Sequence, residues 1–158
     1  MKKHVFSCLM LAFFCGIFSF SGKKGGDMFA IFLNGKQVHQ QFVHADKSVK
    51  TLTFRSLQPS DKIEVLYSHC GHAGTNRVLA IRDAKNNLLK KFSFGDGETN
   101  MSRMGFYQKD VAAANEGKVS LFYSSTELPE GRLLATIVWN EGKVLAGKPA
   151  PAELVLVK

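Results

Sequence analysis

Lys62-Ile63-Glu64-Val65-Leu66-Tyr67-Ser68-His69-Cys70-Gly71 reads with a period of two. Ile63, Val65 and Tyr67 fall on one side and Lys62, Glu64 and Ser68 on the other, the pattern of a strand with one buried face. His69 continues the parity of Tyr67 and so belongs to the inward face, whereas Cys70 shares the parity of Ser68. The same period recurs on both sides of this stretch. Upstream, Met28 to Leu33 is a short apolar run. Asn34-Gly35 then supplies two residues that tolerate positive φ, which predicts a two-residue hairpin with Lys36 to Val43 returning antiparallel. Leu52 and Phe54 alternate with Thr51, Thr53 and Arg55, and Pro59-Ser60-Asp61 is a turn. Downstream, Arg77 to Asp83 carries Leu79 and Ile81 inward. A polar loop at Asp83 to Asn87 leads to Leu88 through Phe94, and Gly95 to Asn100 is a second polar loop. Gln108 to Glu116 predicts one short helix of about two turns, ended by Gly117. Val119, Leu121 and Tyr123 alternate again, Pro129-Glu130-Gly131 predicts a turn, and Leu133 to Trp139 is apolar on both faces, as in a central strand. The expected fold is all-β, an antiparallel β-sandwich of about seven to eight strands with one short helix.

Composition agrees. The chain has 158 residues, 45% hydrophobic, 11% aromatic and 22% charged, which suits one globular domain and excludes a disordered chain or a (β/α)₈ barrel. The N-terminus differs from the rest. Lys2 and Lys3 precede an uncharged, mostly apolar run from Val5 to Phe20, with small Ser19 and Ser21 after it, so residues 1–21 read as a secretory signal peptide. An uncleaved anchor would still leave the domain outside the cytoplasm. A lipidated Cys15 is disfavoured by the bulky Phe14 before it. Residues 22–146 would form the β domain, and residues 147–158 a tail whose Leu154 to Val157 adds an edge strand or frays. Cleavage after Ser21 leaves 137 residues with 19 Lys and Arg against 13 Asp and Glu, a net charge of +6, and Cys70 as the single cysteine. The expected location is periplasmic or extracellular, with no stable membrane span after cleavage.

The densest cluster of reactive side chains is Ser68-His69-Cys70-Gly71-His72, followed by Gly74 and Arg77. His69, Cys70 and His72 are residue types that bind zinc or copper, with His39 and His44 as further donors. Yet adjacent residues of a strand point to opposite faces, and a closed site needs four ligands. Ser68, His69, Cys70 and Arg77 form a candidate polar site in which His69 caps the core through a hydrogen bond. There Cys70 is buried or half-buried, while Gly71 and Gly74 permit a tight connection. A Cys70 nucleophile with His72 and Arg77 lacks an identifiable residue to orient the base. Asp96, Glu98 and Asn100 begin like a calcium loop, which fails at Met101 and Tyr107. The lysines are scattered, which favours solubility, leaves attraction to envelope lipids or polysaccharide open, and speaks against nucleic acid.

From Asp27 to about Val138 the chain resembles a group of small uncharacterised secreted proteins of Bacteroidetes-type bacteria. The resemblance lies in Ile31-Phe32-Leu33-Asn34, Tyr67-Ser68-His69-Cys70-Gly71 with Gly74 and Arg77, Leu89-Lys90-Lys91-Phe92-Ser93-Phe94, and Leu128-Pro129-Glu130-Gly131-Arg132-Leu133-Leu134-Ala135. It implies secretion and one β-rich domain, marks Ser68 to Gly71 as more than chance, and assigns no activity. The reading that follows is an exported, non-enzymatic binding or structural β-sandwich module without a cofactor, its partner a protein or an envelope component. The alternative is a zinc- or copper-binding or reactive-thiol protein using His69, Cys70 and His72.

Overall fold

The computed structural model describes residues 26–55, 57–111, 117–140 and 153–155. The signal-peptide reading of residues 1–21 lies outside them, as does most of the tail. Ten strands form two sheets: β1 (Met28–Leu33), β2 (Lys36–Phe42), β3 (Lys50–Arg55), β4 (Lys62–Ser68), β5 (Val78–Arg82), β6 (Leu88–Ser93), β7 (Met104–Tyr107), β8 (Lys118–Ser125), β9 (Leu128–Asn140) and β10 (Glu153–Val155). The four-stranded sheet runs β2-β1-β4-β7 and the six-stranded sheet β10-β3-β9-β8-β5-β6.

The all-β fold class stands, and the period-two residues do what the period requires. Ile63, Val65 and Tyr67 meet Leu79, Ile81, Leu121 and Tyr123 across the two sheets in one core. Leu66, on the other parity, joins Ala30 and Phe32 in a small second cluster. The Arg103 guanidinium sits 3.7 Å from the Phe32 ring centroid on that face. This second cluster explains why Met28 to Leu33 is apolar at nearly every position. The predicted hairpin at Asn34-Gly35 is present, with φ of 50° and 80°. The Asn34 side chain also ties the hairpin to the Asp61 turn, donating to the Asp61 carboxylate at 2.8 Å and accepting from the Lys62 amide at 2.9 Å.

Four details of the sequence reading are corrected. The sandwich is not wholly antiparallel, because β3 pairs with β9 in parallel register. Strand direction leaves no mark on the alternation of a single strand. The strands outnumber the seven or eight expected: Met104–Tyr107 is a short strand pairing with β4, too brief for a period to register, while Glu153–Val155 pairs with β3 at the sheet edge, close to the edge strand offered at Leu154 to Val157. The predicted helix is a 3₁₀ turn over Gln108–Val111, and residues 112–116 lie outside the described residues. The turn expected at Pro129-Glu130-Gly131 occurs earlier, at Thr126-Glu127. Pro129 to Gly131 instead belong to β9, where Gly131 takes φ of 71° beside an irregular register with β8. Among the described residues no helix is long and apolar enough to cross a membrane.

Candidate functional site

The segment after β4 folds back on itself within two residues. His69 and His72 exchange both backbone hydrogen bonds, at 2.8 and 3.2 Å, with Cys70 and Gly71 between them at φ of 50° and 99°. A turn with positive φ at both central positions suits Gly and strains a residue with a Cβ. The Ser68 hydroxyl, itself buried, accepts from the Gly71 amide at 3.1 Å and steadies the turn. The reversal cancels the strand parity after His69. His69 is inward and 5% exposed, as its parity requires, but Cys70 is exposed at the tip, not buried or half-buried. Its thiol donates to the Asp27 carboxylate at 3.7 Å. His72 is exposed, its ring 6.2 Å from that of His69. Arg77 is buried and turned to other work: its Nε donates to the Gly95 carbonyl and its Nη1 to the Ser102 carbonyl, each at 2.9 Å, stapling the loop between them. The structure thus places Cys70 at a turn tip steadied by Ser68, brings His69 and Cys70 to the same Asp27 carboxylate, leaves His72 exposed beside them and commits Arg77 to the Gly95 and Ser102 carbonyls. Among the described residues no group of three His, Cys, Asp or Glu converges as a metal site would.

His69 anchors a different cluster. Its Nδ1 faces the Asp27 carboxylate at 3.5 Å. Its Nε2 lies 3.0 Å from the Tyr123 hydroxyl and 3.1 Å from that of Ser125. A carboxylate only accepts, so the proton of a neutral imidazole belongs on Nδ1, and the single lone pair of Nε2 is shared between the two hydroxyls, which also bond each other. Tyr67 stacks on Tyr123, with ring centroids 4.2 Å apart and planes at 13°. Burial raises the pKa of both tyrosines and keeps their hydroxyls protonated as donors. Glu127 stands 4.0 Å from Nε2. Burial pushes its carboxyl up, but bonds from the Thr75 amide, its own amide, Ser125 and the Thr75 hydroxyl outweigh that and bring it down to about 2.

Asp27, His69 and Ser125 fall in the order of an orienter, a base and a nucleophile. Two observations argue against Ser125 as a nucleophile: it is 6% exposed, and the Thr75 amide nearby is occupied by Glu127. A described cavity lies elsewhere. The cluster is a closed polar network, each member supplied with a partner.

That cavity, of about 270 Å³, opens between the β1–β2 side of one sheet and β9 of the other. Phe29, Val43 and Leu133 give it apolar walls, while Gln41, Asp46, Lys47, Ser48 and Arg132 give it polar ones. Buried Gln41 shapes one wall by donating its amide to the carbonyls of Asp46 and Ser48, the latter at 2.9 Å. The His69 cluster and the cavity share a spine. The Arg132 Nη1 donates to the Tyr67 hydroxyl at 3.0 Å, and that hydroxyl donates to Asp27, also at 3.0 Å. The Asp27 carbonyl accepts from the Val43 amide of the cavity wall at 2.9 Å.

Sequence reading singled out Ser68, His69, Cys70 and Arg77 but passed over Asp27, Tyr123, Ser125, Glu127 and Arg132. One signal was present: Tyr67 and Tyr123 stand on inward parities, and a buried tyrosine needs a partner for its hydroxyl. The loop carboxylates and Arg132 gave no such signal, because the pairing that brings them close spans 40 to 65 residues of chain. The chain matches no protein-family model and no curated protein.

Proposed function

We propose that the protein is an exported, non-enzymatic binding module whose ligand site is the cavity between β1–β2 and β9. The observation that carries this reading is the cavity's mixed lining, an apolar wall of Phe29, Val43 and Leu133 facing charged groups that include Arg132. The His69 segment supports the site rather than performing chemistry in it. Through Asp27 and Tyr67 it braces the side chain of Arg132 from behind. Export is supported by the charged, apolar and small-residue regions of residues 1–21, and by the resemblance to secreted proteins.

The test is a thermal-shift panel of small organic acids, amines, amides and sugars on the wild type and on Leu133→Trp, which fills the cavity. Compounds that raise the melting temperature of the wild type but not of the filled variant support the reading. A panel in which no compound separates the two proteins overturns it.

A further inference from the structure

Resting on the cavity as the ligand site, we infer that it takes a monocarboxylate with a compact apolar body, its carboxylate held by the guanidinium of Arg132. Arg132 is half-buried in β9 and lines the cavity. Of its five N–H groups, one donates within the described residues, from Nη1 to Tyr67. No described carboxylate lies within 4.0 Å of it, whereas Lys50, Lys62 and Arg103 have such partners. A half-buried guanidinium held on one side, with the rest of its fork unclaimed by the described residues, is suited to a planar, two-oxygen acceptor.

The held side is rigid. Tyr67 is 1% exposed, stacked between Tyr123 at 4.2 Å and Phe29 at 6.4 Å, and its hydroxyl proton is committed to Asp27. Arg132 is therefore positioned before any ligand arrives, which limits the entropy lost on binding.

The other lining groups narrow the class. Asp46 is the one carboxylate in the lining. It is engaged by the Ser48 amide at 2.8 Å and by Lys50 at 3.1 Å, but its charge still opposes a dianion. With Lys47 and Arg132 against Asp46, the lining carries one net positive charge, which matches a monoanion better than a phosphate. Gln41 has both amide hydrogens turned to backbone carbonyls and has none left for a ligand. Phe29, Val43 and Leu133 are left to pack an aromatic or branched aliphatic body. At about 270 Å³ the space holds a small one, just below the ~300–1,000 Å³ range of drug-sized pockets.

Calorimetric titration of the full domain with phenylacetate, phenylacetamide, benzylamine and inorganic phosphate tests the inference. Phenylacetate should bind about tenfold or more tightly than the other three, because the amide loses the charge-assisted pair. Arg132→Gln should weaken phenylacetate by about tenfold while leaving phenylacetamide unchanged. Arg132→Lys should weaken it less, keeping the charge without the fork. Circular dichroism confirms that each variant is folded, and Arg132→Lys carries the test if Arg132→Gln is not. Equal binding of the amide, tighter binding of phosphate, or unchanged affinity in a folded Arg132 variant overturns the carboxylate assignment and leaves the cavity as a site of another class. Binding of none of the four overturns the monocarboxylate assignment, and the thermal-shift comparison with Leu133→Trp then decides separately whether the cavity takes a ligand of another class.

Discussion

Glu127 shows how single residues divide the work at the closed end of the sandwich. Its carboxylate caps the Thr75 amide and hydroxyl and faces His69, and it is held at about 2 against an ordinary value of 4.5. A depressed carboxyl contributes stability that is fully present above its unfolded value and is lost as pH falls through its folded value. The urea midpoint of the wild type should therefore fall between about pH 4.5 and pH 2. Glu127→Gln should fall less steeply over the same window. Asp46, also held at about 2, titrates there in both proteins, so the difference between the two curves isolates Glu127. Parallel curves would remove Glu127 from the account. The inward place of His69 was legible from parity alone. The exposure of Cys70 agrees with the parity it shares with Lys62 and Glu64, but its place at the tip of a reversal was not legible, because parity holds only while the strand continues. The cue for a reversal was the following glycine, and Cys is not a residue that advertises positive φ.

Among the elements, the short connection from β4 to β5 is the most constrained. Gly74 packs against the polar cluster so closely that a Cβ there would come within 2.5 Å of the Tyr123 hydroxyl, 2.9 Å of Glu127 Oε2 and 3.0 Å of His69 Nε2. Tyr123 cannot retreat, being fully buried and stacked on Tyr67. Gly74→Ala should accordingly destabilise the domain by about 1–3 kcal/mol, read as a lower denaturation midpoint with unchanged far-UV dichroism. An unaltered midpoint would mean that the cluster is looser than the geometry implies. Sequence reading assigned Gly74 to the connection but had no means of seeing what it faces. Besides His69, its partners come from β8 and the turn after it, some 50 residues away. Elements with a full period, such as β4, β5 and β8, were legible. Met104–Tyr107 was too short, and the Pro129-Glu130-Gly131 signal pointed to a turn because Gly131 does have positive φ, though in service of a bulge inside β9.

For the molecule as a whole, alternation fixed two sheets closing on one core and left their connectivity open. The parallel pairing of β3 with β9 is the consequential case. It keeps β9 central, and β9 carries Arg132 and Leu133 toward the β1–β2 side of the other sheet. The cavity is thus a product of topology, assembled from residues around positions 29, 41–48 and 132–133, and no local pattern announced it. The central claim is that ligand binds there and that the His69 turn serves as its support. Backbone amide chemical-shift mapping of the ¹⁵N-labelled domain during titration with phenylacetate tests this most directly. The account predicts saturable shifts centred on Phe29, Gln41, Val43, Arg132 and Leu133, with smaller ones relayed to Asp27 and Tyr67. Shifts centred on His69 to His72, or none at saturating ligand, would contradict it.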